Sequence, residues 1–150
     1  MGGMVAIEMA ARYPERVQSL CLLNTRSEFV LEVDDLKRLA EDFAVHLKGY
    51  PDRNTFQYKH IHAPQIVLHR ETSKEQLDLS TFLPKIQTST LVVGGEFDAL
   101  CPPDVCKGLA RDIPTATYQE VPQAGHFLPL FQADLLNSLL LNHWTEQSRD

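Results

Sequence analysis

The sequence predicts an α/β fold built on a parallel sheet, with helices on its faces and a helical insertion between the first two strands. Three observations carry this. Short, mostly apolar runs of strand length occur at Val17–Leu23, Thr90–Val93 and Thr115–Val121. Segments of helical character precede, separate and follow them, as the crossovers of a parallel sheet require. The first two runs are closed by Asn24-Thr25 and Gly94-Gly95, and a glycine turn with His126 follows the third, all of it the chemistry of tight turns.

The elements follow in order. Met1–Tyr13 reads as a helix with an apolar surface of Val5, Met9 and the small Ala6, Ala10 and Ala11, stopped by Pro14. The first strand comes next. Glu28–Leu47 carries Leu36, Leu39, Phe43 and Leu47 at helical spacing and breaks at Lys48-Gly49-Tyr50-Pro51. Residues 52–80 are more polar, with two short helices expected at about 54–68 and 74–80. After the second strand, Pro103 sits in the first turn of a helix running to about Asp112. The third strand alternates in polarity. Leu128–Trp144 is expected as one helix with Leu135, Leu136, Leu139 and Leu140 as its buried stripe. The stretch between the first two strands is too long for a simple crossover and is expected to form its own lobe.

Composition excludes several classes of function. The 150 residues are 43% hydrophobic and 23% charged, ordinary for one globular domain. A net charge of −6 without a local basic cluster argues against nucleic acid as a partner. No apolar run reaches transmembrane length and no secretory leader pattern is visible, so no membrane partner is expected. Cys21, Cys101 and Cys106 are too irregularly spaced for a disulfide framework or a zinc site. They read as ordinary thiols in a reducing, cytoplasmic setting, with neither metal nor cofactor.

Ligands of a parallel sheet meet the carboxyl ends of its strands. Asp98, in LVVGGEFDALCPPD, and His126, in VPQAGHFLPLF, fall at two neighbouring strand ends. Taken singly, Asp98 is a turn former and His126 a structural histidine. Together they can make a carboxylate–imidazole pair, in which Asp98 accepts the Nδ1 proton, fixes the tautomer and leaves the other ring nitrogen for a nucleophile's proton. Competing acids fail on position: Asn24 cannot ionise, Glu96 falls too early and Asp104 lies inside the next helix. His60 and His62 do not share a helix face. They read as solvated, with His46, His69 and His143.

These motifs resemble the α/β-hydrolases. GGEFDALCPPD is similar to that family's acid turn and AGHF to its histidine turn, in family order. MGGMVAIEMAARYPERVQSLCLLNT resembles the stretch just after the nucleophile elbow, which in serine members reads Gly-x-Ser-Met-Gly-Gly. The likeness covers the chain outside the insertion. It implies a core of residues 1–25 and 85–150, a helical cap over 26–84, and a C-terminal portion of the fold whose three strands correspond to the family's last three. Proline is common in the family where Ser89 stands, a difference confined to the entry into the strand.

By the same resemblance the nucleophile is a serine one position before Met1. Gly2 and Gly3 are the elbow glycines that permit a tight turn and close helix packing, and the Met1 backbone N–H is an oxyanion-hole donor. Dehalogenase and epoxide-hydrolase members use aspartate, typically followed by tryptophan; Met1 fits the serine form. The implied activity is serine-type, carboxylesterase-like hydrolysis of an ester, amide, thioester or related bond. The small-molecule substrate is bound once an N-terminal half completes the fold, and the chain alone is expected to be inactive. The alternative is a non-catalytic scaffold that binds a partner, or a second copy, through the open edge of the first strand. Phe29, Leu36, Leu39, Phe43, Phe56 and Tyr58 are expected mainly to pack the cap itself.

Overall fold

The structure, a computed structural model, describes residues 2–28 and 78–147. Three strands, β1 (Leu20–Leu23), β2 (Thr90–Gly95) and β3 (Ala116–Val121), form a parallel sheet in the order β1-β2-β3. The register runs Leu20 to Thr90 and Leu23 to Val93 on one side of β2, and Thr90 to Ala116 and Gly95 to Val121 on the other. Helices are α1 (Gly2–Arg12), α2 (Pro103–Asp112), α3 (Leu128–Phe131) and α4 (Ala133–Gln147), with short 3₁₀ helices at Pro14–Arg16 and Ser80–Lys85.

Side-chain alternation along the strands divides the core between two faces. Leu20, Leu22 and Val92 pack with Met4, Ile7 and Ala10 of α1, with Cys106 and Leu109 of α2, and with Leu83. Leu91 and Val93 turn the other way, to Leu128 of α3 and Leu136 of α4, with Cys21 and Leu23 alongside. Every residue of β2 is buried, the mark of a central strand covered on both faces. At the amino end of the sheet, Thr90 and Thr115 hydroxyls both donate to the Thr88 carbonyl (2.7 and 2.6 Å), tying β2 to β3.

Several elements differ from their expected form. The first strand starts at Leu20 because Pro14 heads a 3₁₀ turn whose closing bond, Val17 N–H to Pro14 O at 3.2 Å, holds Val17 out of the sheet. Helix α1 buries Met4, Ile7 and Ala10 while Val5 and Met9 are exposed. Strand β2 runs through both glycines to Gly95. The long final helix is two, broken at Gln132, which has extended φ (−134°) after the proline-containing turn of α3. The break resets the helical face, so Leu136 is buried, Leu139 and Leu140 are half-buried and Leu135 is exposed. His143, expected in solvent, is buried.

At the root of the insertion Glu28 pairs with Asp78 in an isolated antiparallel bridge, and Leu79 N–H donates to Ser27 O at 2.9 Å. Leu79 and Leu83 join the core beside α1, so the return to the core begins before residue 85. The expected helices over Glu28–Leu47 and 54–68, most of that at 74–80, the turn at 48–51 and the six apolar cap residues lie outside the described residues, as do Met1, His46, His60, His62 and His69.

Candidate active site

The carboxyl ends of β1, β2 and β3 bring three turns together. The turn after β2 begins at Gly95, whose carbonyl accepts the Asp98 N–H (3.1 Å), while the Glu96 N–H donates to Val121 O at 3.0 Å and the Phe97 N–H to Ala124 O at 2.8 Å. The acid turn is thus tied to the histidine turn by main-chain bonds before any side chain takes part. Gly95 makes that approach possible: a Cβ there would lie 2.5 Å from Ala124 O and 2.9 Å from Gly125 O.

Asp98 is buried at the base of its turn. Its Oδ1 accepts the N–H groups of Leu100 (2.8 Å) and Cys101 (2.9 Å), an Asx-type arrangement that orients the carboxylate. Its Oδ2 lies 2.9 Å from His126 Nδ1. The Asp98 side chain is fully covered, whereas that of His126 is 26% exposed. One end of the pair is therefore shielded from water and the other reaches the surface. With Nδ1 directed at Asp98, Nε2 is the ring nitrogen on the side away from the carboxylate.

The other candidate acids stand apart. Glu96 is exposed and accepts the Gln123 N–H at 2.8 Å, stabilising a residue whose φ is 55°. Asp104 is exposed in the first turn of α2. Of the two glycines that open the chain, Gly3 is the tightly packed one, since a Cβ there would collide with the Thr25 side chain; at Gly2 a Cβ meets nothing within 4 Å.

Asp98, Cys101 and His126 each offer a ligand atom within 4.8 Å of the others. Burial first, and Asp98 next, push the Cys101 thiol up to about 12, so it is protonated at neutral pH and a poor ligand in that state. Asn24, set aside in the sequence because it cannot ionise, is buried here and its carboxamide is bonded to Gly95, Gly125 and His126. The local signal for it was modest: an amide at a strand's carboxyl end.

Comparison with known proteins extends along nearly the whole chain. No protein-family model matches it. It is 26% identical over 165 residues to the pimeloyl-[acyl-carrier protein] methyl ester esterase of Neisseria meningitidis, covering 93% of this chain and 64% of that protein. Among solved structures, a thermophilic esterase from Thermogutta terrifontis superposes with a TM-score of 0.65 at 24% identity, over 97% of this chain and 62% of that one. A serine hydrolase involved in carbazole degradation, the CarC enzyme, superposes with a TM-score of 0.70 at 20% identity, over 96% and 60%. The chain spans less than two thirds of the length of each. A parallel sheet layered between helices, and likeness running along nearly all of this chain, show that it has the α/β-hydrolase fold.

Proposed function

We propose that the chain supplies the acid and the base of a serine-type hydrolase acting on an ester, amide, thioester or related acyl bond of a small molecule. The carrying observation is the 2.9 Å contact between a fully covered Asp98 carboxylate and His126 Nδ1. In this reading Asp98 holds the proton on Nδ1, and Nε2 takes the nucleophile's proton as the acyl carbon is attacked. Asp98 then stabilises the imidazolium, and Nε2 returns the proton to the leaving group. The nucleophile is assigned to a serine preceding Met1 and one oxyanion donor to the Met1 N–H. The close seat of Gly3 on Thr25 supports a tight entry into α1 at that point. The esterase names of the relatives support acyl chemistry, and the insertion rooted at the Glu28–Asp78 bridge is assigned to a cap over the site. Among the described residues no helix is long and apolar enough to cross a membrane, and a cytoplasmic setting is part of the proposal.

The chain of residues 1–150 alone is expected to be inactive. None of its seven serines precedes a glycine pair at a helix start. Loss of one oxyanion donor alone costs on the order of 10²–10³ in rate. The test is turnover of p-nitrophenyl acetate and butyrate, with fluorophosphonate labelling, on this chain by itself and joined to the segment encoded in frame upstream of Met1. Turnover is expected only in the joined protein and is lost in His126→Ala. Strong labelling of the isolated chain would mean that the nucleophile lies within it. An upstream reading frame without Gly-x-Ser would favour the scaffold reading, to which the outer edge of β1 lends itself.

A further inference from the structure

Asn24 follows β1 with a φ of 44°, a left-handed conformation that asparagine tolerates better than most residues. Its backbone N–H completes the ladder to Val93 O at 2.9 Å. Its carboxamide is spent on other strands. Oδ1 accepts the Gly95 N–H at 2.9 Å, and Nδ2 donates to Gly125 O at 3.0 Å and His126 O at 2.9 Å. One buried side chain thus joins the end of β1, the end of β2 and the turn that carries the imidazole. It bonds the backbone of His126, not its ring.

We propose that Asn24 is a positioning residue: by holding the Gly125 and His126 carbonyls it sets the imidazole so that Nδ1 meets Asp98 Oδ2. This rests on the reading of Asp98 and His126 as an acid–base pair. The chemistry is specific to a short carboxamide, which offers an acceptor and two donors in one plane. Aspartate has the same shape and offers acceptors only. Its ionised form would put a carboxylate oxygen where Nδ2 stands, about 3 Å from two carbonyl oxygens. Its protonated form still accepts from Gly95 and donates one hydrogen bond, so it satisfies two of the three. The carbonyls and burial favour the neutral form. The turn in Asn24→Asp is therefore held at low pH and released as residue 24 ionises. Glu96, Asp98 and His126 are common to both proteins, so the comparison with wild type isolates residue 24.

The experiment uses the full chain of residues 1–150. The imidazole Nδ1–H resonance of His126 is followed by NMR across the pH range in which circular dichroism reports a folded protein, with Asp98→Asn identifying the signal by its disappearance. In wild type the resonance is expected throughout that range. In Asn24→Asp it is expected at the acid end and lost as pH rises, while the circular dichroism is unchanged. An Asn24→Asp protein that is folded and keeps the resonance at every pH overturns the proposal and leaves the acid–base pair intact. A wild-type protein without the resonance overturns the pair itself, and the proposal with it. Should Asn24→Asp not fold, Asn24→Ala, in which water can reach the freed backbone groups, decides. Exchange of the Nδ1 proton with solvent is expected to quicken at least about tenfold, the equivalent of one or two lost hydrogen bonds; unchanged exchange overturns the proposal.

Discussion

Cys101 lies in the same turn as Asp98, and its N–H is one of the two that orient the carboxylate. Its thiol is pushed up to about 12 by burial, with Asp98 adding to the effect. Cys106, whose Sγ contacts the Cys101 carbonyl at 3.5 Å, is pushed up to about 11, again chiefly by burial. Cys21 is raised by burial and drawn back in part by a hydrogen bond with Trp144. Thiolate is the reactive form, so iodoacetamide at neutral pH is expected to modify half-buried Cys21 first and to spare Cys101 and Cys106 until the protein unfolds. Mass spectrometry of native and urea-treated protein checks this. The same shifts bear on stability. A thiol whose folded pKa exceeds its unfolded value of 9.0 stabilises the fold fully below 9.0, and that contribution is lost as pH rises toward 11 for Cys106 and 12 for Cys101. Cys106→Ala, which leaves a small cavity, is expected to be less stable than wild type at neutral pH yet to lose less stability on the alkaline side of 9.0. Urea unfolding at a series of pH values measures both.

At the scale of elements, strand β2 ends on two glycines with different reasons to be glycine. Neither has positive φ, so close approach decides. At Gly94 an added Cβ would lie 2.9 Å from the Tyr118 hydroxyl and 3.1 Å from Cys106 Cβ, where side chains can shift. At Gly95 it would meet the backbone of Ala124 and Gly125, which cannot move without moving His126. Gly95→Ala is expected to cost about 1–3 kcal/mol, the usual range for overpacking, and to weaken the Nδ1–H resonance of His126. Gly94→Ala should cost less and leave that resonance alone. Thermal unfolding and NMR on the two variants check the contrast. The placement of Asp98 and His126 at neighbouring strand ends was legible in the sequence because apolar runs and glycine turns mark such ends. The buried face of α1 was not, because small and apolar residues surround that helix and periodicity alone cannot choose between Met4–Ile7 and Val5–Met9. Asn24 was not either: its partners lie 71, 101 and 102 residues away, and nothing local to Asn24 announces them.

For the molecule as a whole, the outer edge of β1 is where the sheet stops among the described residues. The N–H groups of Leu20 and Asn24 bond to Ser89 and Val93 of the β2 side. Alternation in a parallel ladder gives the Leu22 N–H the same direction and turns those of Cys21 and Leu23 to the far edge. Their side chains pack in the core beside Leu91 and Val93, so the edge belongs to a strand of buried character. If the upstream segment completes the fold, as proposed, its nearest strand covers this edge. Amide hydrogen exchange then has a residue-by-residue signature. Leu22 is expected to exchange slowly both in residues 1–150 alone and in the joined protein. Cys21 and Leu23 are expected to exchange quickly in dilute solutions of the chain alone and slowly once the upstream segment is joined. Protection of Cys21 and Leu23 that grows with the concentration of the isolated chain would reveal pairing between copies at the same edge, a known hazard of such strands. Protection already complete at high dilution would show the edge covered from within residues 1–150, and the proposed completion of the sheet by an upstream strand would fail.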